Sequence, residues 1–161
     1  MANSFTQLYV QMVFAVKNRQ SLIFNENKDK IEKYIWGIAS NIKCNPISIY
    51  CNPDHVHFLV SIKPIVCIAD VIRDIKSFSS RYINENRCMN RHFEWQTGYG
   101  AFTYGQSQIE RLKAYIANQY EHHKKRSFED EYIALLKAFK VDYDETYLFD
   151  WVDLGLPPTE A

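Results

Sequence analysis

PDHVHFLVSI, residues 53–62, decides how the chain is read. Val56, Phe58, Val60 and Ile62 alternate with His55, His57, Leu59 and Ser61, and a period of two marks a strand with one apolar face. Four apolar residues on one side make that side the one covered by helices. Both imidazoles then stand side by side on the opposite face, away from the helical layer. Side chains at i and i+2 can share a metal ion, but an HxH pair taken alone is more often two half-exposed histidines near a strand end. Two imidazoles are also an incomplete site, because a metal usually needs at least a third protein ligand.

The flanking sequence supplies the frame. A first strand is expected over residues 8–16, with Val10, Met12, Phe14 and Val16 on one face and Tyr9, Gln11, Val13 and Ala15 on the other. A helix over 26–41 follows, striped by Ile31, Ile35, Ile38 and Ile42, with Asn25 as its N-cap. A strand over 46–51, in which Ile47, Ile49 and Cys51 alternate with Ser48 and Tyr50, turns through Asn52-Pro53-Asp54 into the histidine strand. A helix over 68–84 turns Val71, Ile75, Phe78 and Tyr82 inward, and a short strand is expected over 101–104. From Ser107, paired with Glu110 at capping-box spacing, a further helix runs on, and a last one covers 128–139. The order β-α-β-β-α-β then helices predicts an α+β, ferredoxin-like (split βαβ) antiparallel sheet with helices on one face plus C-terminal helices. That architecture hosts many unrelated functions. Residues 1–126 are expected to form the working domain, with 127–161 as its C-terminal helix and acidic tail.

The chain of 161 residues has no net charge, but the charge is unevenly placed. From Ser127 onward there are nine acidic and two basic residues, which leaves seventeen basic against ten acidic before it. A basic body with an acidic tail keeps a polyanion among the candidate partners. Arg73, Lys76 and Arg81 on the second helix, with Lys17 and Arg19 after the first strand, are the candidate phosphate contacts. Trp95 and Tyr99 are candidates for stacking on unpaired bases. No apolar run is long enough to cross a bilayer, and no export signal opens the chain, so no membrane partner and a cytoplasmic location are expected. The four cysteines, none in a CxxC pair, are then expected to be reduced thiols.

The helix starting at Ser107 offers the rest of a site. Ile109, Leu112, Ile116 and Tyr120 form its packing stripe, and Tyr115 and Gln119, an i, i+4 pair, project together from the stripe's edge. His122, one turn on, is a rival ligand, and His122 and His123 equally suit a solvated helix end. The chemistry that joins these pieces is phosphoryl transfer, in which a phenolic oxygen attacks a phosphodiester while a cation offsets charge on the phosphate. Two imidazoles and an amide leave coordination positions open. The set suggests Mg²⁺ or Mn²⁺, although imidazole also matches softer metals.

At this point the sequence resembles the small single-tyrosine transposases of the His-hydrophobic-His nuclease superfamily. These belong to simple bacterial insertion sequences and related repeat-associated elements. The matching segments are YVQMVFAVKNRQSLI, NPDHVHFLVSI, IKSFSSRYI, FEWQTGYGAF and YIANQYEHH, in order over residues 8–123. The resemblance implies that His55, His57 and Gln119 bind a divalent metal and that Tyr115 is the nucleophile. It further implies single-stranded DNA (element-end hairpins) as substrate, a 5′-phosphotyrosine intermediate, and a homodimer in which the tyrosine helix can act in trans. Relatives often carry a histidine where Gln11 stands here. Two other readings stay open: a non-catalytic ferredoxin-like nucleic-acid-binding module, including a domesticated relative, and a zinc protein built on His55, His57 and His122 or His123.

Overall fold

In the computed structural model, which describes residues 4–19, 23–89, 91–144 and 148, four strands form one sheet. They are β1 (Leu8–Ala15), β2 (Cys44–Cys51), β3 (His55–Ile62) and β4 (Gly100–Tyr104), in the order β2-β3-β1-β4 with every neighbouring pair antiparallel. The helices are α1 (Asn25–Asn41), α2 (Ile68–Glu85), α3 (Ile109–Ala117), α4 (Gln119–His123) and α5 (Phe128–Ala138). This is the ferredoxin-like α+β arrangement expected. β1 and β3, the central strands, carry the alternating residues of the sequence argument.

Each face of that alternation is buried by different helices. Val10, Met12, Phe14 and Val16 join Val56, Phe58 and Val60 in one cluster with Ile31 and Ile35 of α1 and Val71, Ile72 and Ile75 of α2. On the other face, Tyr9 and Leu59 meet Ile109, Leu112 and Ile116 of α3, while Val13, Ala15 and Phe102 meet Phe128, Tyr132 and Leu136 of α5. The histidine face points away from α1 and α2 as expected, but it is not open. Helices α3 to α5 roof it, and both imidazoles have no solvent exposure.

Several local expectations are corrected, each for an identifiable reason. Asn25 is the first residue of α1 rather than its cap: Phe24 stands at the cap with no side-chain bond, and its carbonyl accepts from the Asn27 and Lys28 N–H groups. Ile47 is the extra residue of a β-bulge between Pro46 and Ser48, so it packs towards α3 while Ile49 and Cys51 face α1 and α2. In α2 the central inward place goes to Ser79, whose hydroxyl accepts the Trp95 indole N–H at 2.9 Å. Phe78 is thereby turned to the rim, 42 % exposed. The expected capping box of Ser107 and Glu110 does not form, and Gln108 instead accepts from the Gly105 N–H. The long helix from Ser107 is a 3-10 turn (Gln106–Gln108) followed by two pieces, because it pauses at Asn118. The pause turns Gln119 into the protein, with no exposure, and puts Tyr120 outside at 62 %.

Close approach of β4 to α5 requires a glycine at position 100. A Cβ there would meet Tyr132 Cε2 at 2.7 Å, and Tyr132 Oη and Phe102 Cε2 at 2.9 Å each. Gly100→Ala is expected to push Tyr132 off the sheet and cost roughly 1–3 kcal/mol of stability, the usual range for overpacking. A fall in the urea midpoint checks this, and an unchanged midpoint contradicts it.

Candidate functional site

Strand pleating sets His55 and His57 against Ala15 and Val13 of β1, and their rings lie 5.1 Å apart between centroids. Each ring is fixed by its Nδ1. His55 Nδ1 donates to Asp54 Oδ1 at 2.6 Å, and His57 Nδ1 donates to Gln11 Oε1 at 2.9 Å. Gln11 is itself oriented, because its amide NH₂ donates to Tyr104 Oη at 2.7 Å, which leaves only its oxygen for the histidine. Both Nε2 atoms are therefore turned the same way, towards the Glu131 carboxylate of α5. Phe128 stacks flat on His55, with centroids 3.9 Å apart.

Glu131 is 2 % exposed and is shared by five side chains. Its Oε1 stands 2.8 Å from His57 Nε2, 3.4 Å from His55 Nε2 and 3.3 Å from His123 Nε2. Its Oε2 accepts the Tyr115 hydroxyl and, at 3.2 Å, the Gln119 amide. The Gln119 oxygen accepts from Asn52 at 3.1 Å and lies 3.0 Å from His123 Nε2. Asn52 Nδ2 also reaches His55 Nε2 at 3.1 Å.

Burial works against the charge of Glu131, but the three imidazoles outweigh it and hold the carboxyl well below the usual carboxylate range. Burial likewise opposes protonation of His55, yet Asp54 and Glu131 raise it, whereas burial leaves His57 below its ordinary value. Tyr115 is pushed above the ordinary phenol value, first by burial and then by the carboxylate that accepts its proton.

Sequence reasoning named five residues of this cluster, and the chain brings them together: His55, His57, Tyr115, Gln119 and, from the alternative zinc reading, His123. The Tyr115 ring lies 6.1 Å from that of His57 within the single chain. The rival ligand His122 is not in the cluster, since its ring lies on Tyr115, centroids 4.5 Å apart, and His123 takes the inward place. Glu131, Gln11, Asp54 and Asn52 were missed. The available signal for Glu131 was an acid three residues after Phe128 and beside Tyr132, on the apolar side of its helix.

The basic candidates lie elsewhere. Lys17, Arg73 and Lys76 line one groove of about 610 Å³ together with Ser77, Ser80 and Tyr99. Arg73 is held by Asp70 and Asp74, Lys17 pairs with Glu94, and Lys76 donates to the carbonyls of Gln96 and Gly98. Burial lowers the Lys76 ammonium to about 8. Arg81 lies over the Phe78 ring outside this groove, and the side chain of Arg19 lies outside the described residues. Trp95 is not available for base stacking, because it is packed edge-on between Phe14 and Phe93, whereas Tyr99 is 41 % exposed. A second cavity of about 190 Å³ shares residues 96–99 with the groove and reaches Ala15 and Phe128.

Residues 4–119 match the family model described as "Transposase IS200 like". The chain belongs to this transposase family. The ISDra2 transposase TnpA of Deinococcus radiodurans is 24 % identical over 120 residues, 71 % of this chain and 86 % of the relative. The IS200 transposase of Salmonella typhimurium is 25 % identical over 119 residues, 70 % and 77 % of the two chains. Among solved structures, one described as a transposase from Deinococcus radiodurans superposes with a TM-score of 0.60 at 21 % identity, covering 74 % of this chain and 95 % of that one. A REP-associated tyrosine transposase bound to a REP hairpin superposes with a TM-score of 0.58 at 12 % identity, covering 76 % and 73 %. The family match ends at Gln119, so His123 and Glu131 of this transposase lie beyond it. Among the described residues, no helix is long and apolar enough to cross a membrane.

The Gln11 bridge gives a direct test of how the imidazoles are held. Gln11→Ala leaves the buried His57 N–H without its acceptor and the half-buried Tyr104 hydroxyl without its donor, at a cost of roughly 1–3 kcal/mol. Chemical denaturation of the two proteins measures the loss, and equal stability contradicts the bridge.

Proposed function

We propose that the chain cleaves and rejoins single-stranded DNA by metal-assisted transesterification through Tyr115. Membership of an IS200-like transposase family supports this. The observation that carries it is the placement of the Tyr115 hydroxyl in one buried cluster with the inward-facing Nε2 atoms of His55 and His57. The residues fit a divalent ion. Both histidines give their Nδ1 protons to fixed acceptors and keep Nε2 for a cation, as metal-binding histidines do. His55, His57 and Gln119 would hold Mg²⁺ or Mn²⁺. When bound, the ion would offset negative charge on the scissile phosphate.

The chain's own groups do the remainder. Tyr115 Oη forms a bond to phosphorus as the bond from phosphorus to the 3′ oxygen breaks; the phenol loses its proton and the departing oxygen gains one. The product is a 5′-phosphotyrosine and a free 3′-hydroxyl. Because the ester energy is kept, attack by another 3′-hydroxyl releases Tyr115 and joins strands without ATP. Lys17, Arg19, Arg73, Lys76 and Arg81 would hold phosphates of element-end hairpins, giving affinity without base reading. Two strand ends need two such sites, which a homodimer supplies either with each tyrosine helix on its own sheet or with the helices exchanged.

Incubation with Mn²⁺ and single-stranded DNA from the flanks of its own gene, resolved on a denaturing gel, tests the proposal. A covalent band is expected that Tyr115→Phe abolishes and EDTA suppresses. A band surviving Tyr115→Phe moves the nucleophile elsewhere. Salt-sensitive binding with no band under any condition supports a non-catalytic binding module instead.

A further inference from the structure

Four donor atoms, one each from His55, His57, His123 and Glu131, lie within 4.8 Å of one another. Two of these residues stand outside the family match, and neither belongs to the ligand set proposed above. We propose that His123 of α4 and Glu131 of α5 are themselves ligands, so that this chain holds its ion in a site of three imidazoles and one carboxylate. The proposal rests on the histidine metal site already inferred and deepens it.

Spacing is the first support. An ion with bonds of about 2.1 Å places neighbouring donors roughly 3.0–3.4 Å apart, from octahedral to tetrahedral geometry, and a five- or six-coordinate ion such as Mn²⁺ keeps positions open for a phosphate oxygen. Glu131 Oε1 already stands 2.8, 3.4 and 3.3 Å from the Nε2 atoms of His57, His55 and His123. Orientation is the second. Asp54 and Gln11 take the Nδ1 protons of the strand histidines, leaving Nε2 of each directed at the same oxygen. Burial is the third: the carboxylate is 2 % exposed, and a buried anion among imidazoles is well placed to receive a cation.

The donor chemistry then selects the ion. Three nitrogens and one carboxylate oxygen suit Mn²⁺, Fe²⁺ or Zn²⁺, whereas Mg²⁺ prefers oxygen donors and keeps its water. Gln119, whose oxygen faces His123 and Asn52, also positions the His123 imidazole.

Titration of the EDTA-stripped full chain with MnCl₂ and with MgCl₂ tests this, with free Mn²⁺ followed by electron paramagnetic resonance and folding checked by circular dichroism. One Mn²⁺ per chain is expected, bound at least tenfold more tightly than Mg²⁺. Glu131→Gln and His123→Ala should each weaken Mn²⁺ binding by about 100-fold, while Asp130→Asn should not change it. His123 sits at the partly exposed edge of the cluster, so His123→Ala remains informative if Glu131→Gln does not fold. Unchanged or tighter Mn²⁺ binding in Glu131→Gln overturns the proposal and makes Glu131 a stand-in that the ion displaces. Unchanged binding in His57→Ala instead removes the histidine metal site itself, whatever Glu131 does. The covalent DNA band is scored separately by Tyr115→Phe.

Discussion

The Glu131 carboxylate, carried by α5 and surrounded by imidazoles from β3 and α4, is a polar contact that ties the second helical layer to the sheet between its two apolar clusters. Bringing such an anion out of water costs several kcal/mol, and only protons or a cation on the imidazole side repay it. Its second oxygen engages Tyr115 and Gln119, so α3 and α4 are tied to the same point. Around it the packing is apolar, with Phe128 on the His55 ring and Tyr132 against Gly100. Buried charge and apolar packing therefore meet in one cluster. Removing one member strands the charge of another, a loss of about 3–5 kcal/mol where the pair is buried.

Much of this was legible in the sequence because it is periodic. Alternation along β1 and β3 fixed which way His55 and His57 point, and the i, i+4 spacing paired Tyr115 with Gln119. What escaped was set by contacts distant in the chain. No local pattern shows that α5 folds back over the histidines, since Glu131 lies 74 residues from His57. Nor does helical periodicity survive a pause: once the helix halts at Asn118, Gln119 takes the inward place assigned to Tyr120, and His123 takes that of His122. The bulge at Ile47 and the rotation of α2 towards Ser79 are failures of the same kind. In each, one tertiary contact outweighs a regular stripe. The acidic tail beyond Asp144, apart from Leu148, lies outside the described residues.

Gln11 shows how a side chain beside the site can act by holding another in place. It lies in the first strand with no exposure, and its oxygen sets the tautomer of His57. The Tyr115 phenol is restrained in a comparable way. Burial and the Glu131 acceptor raise it above the ordinary phenol value and so keep it protonated. The basic groove shares residues 96–99 with the smaller cavity beside Ala15 and Phe128, and there Gly98 adopts a positive φ of 93° and the backbone carbonyls of Gln96 and Gly98 hold Lys76.

The proposed chemistry depends on which tyrosine would carry the DNA: Tyr115 lies beside the histidines, while Tyr120, five residues on, faces solvent. Tandem mass spectrometry of the trypsin-digested covalent complex answers this directly, since residues 114–124 form one peptide containing both. A nucleotide mass on Tyr115 is the result expected. A nucleotide on Tyr120, or on any residue outside this peptide, contradicts the account.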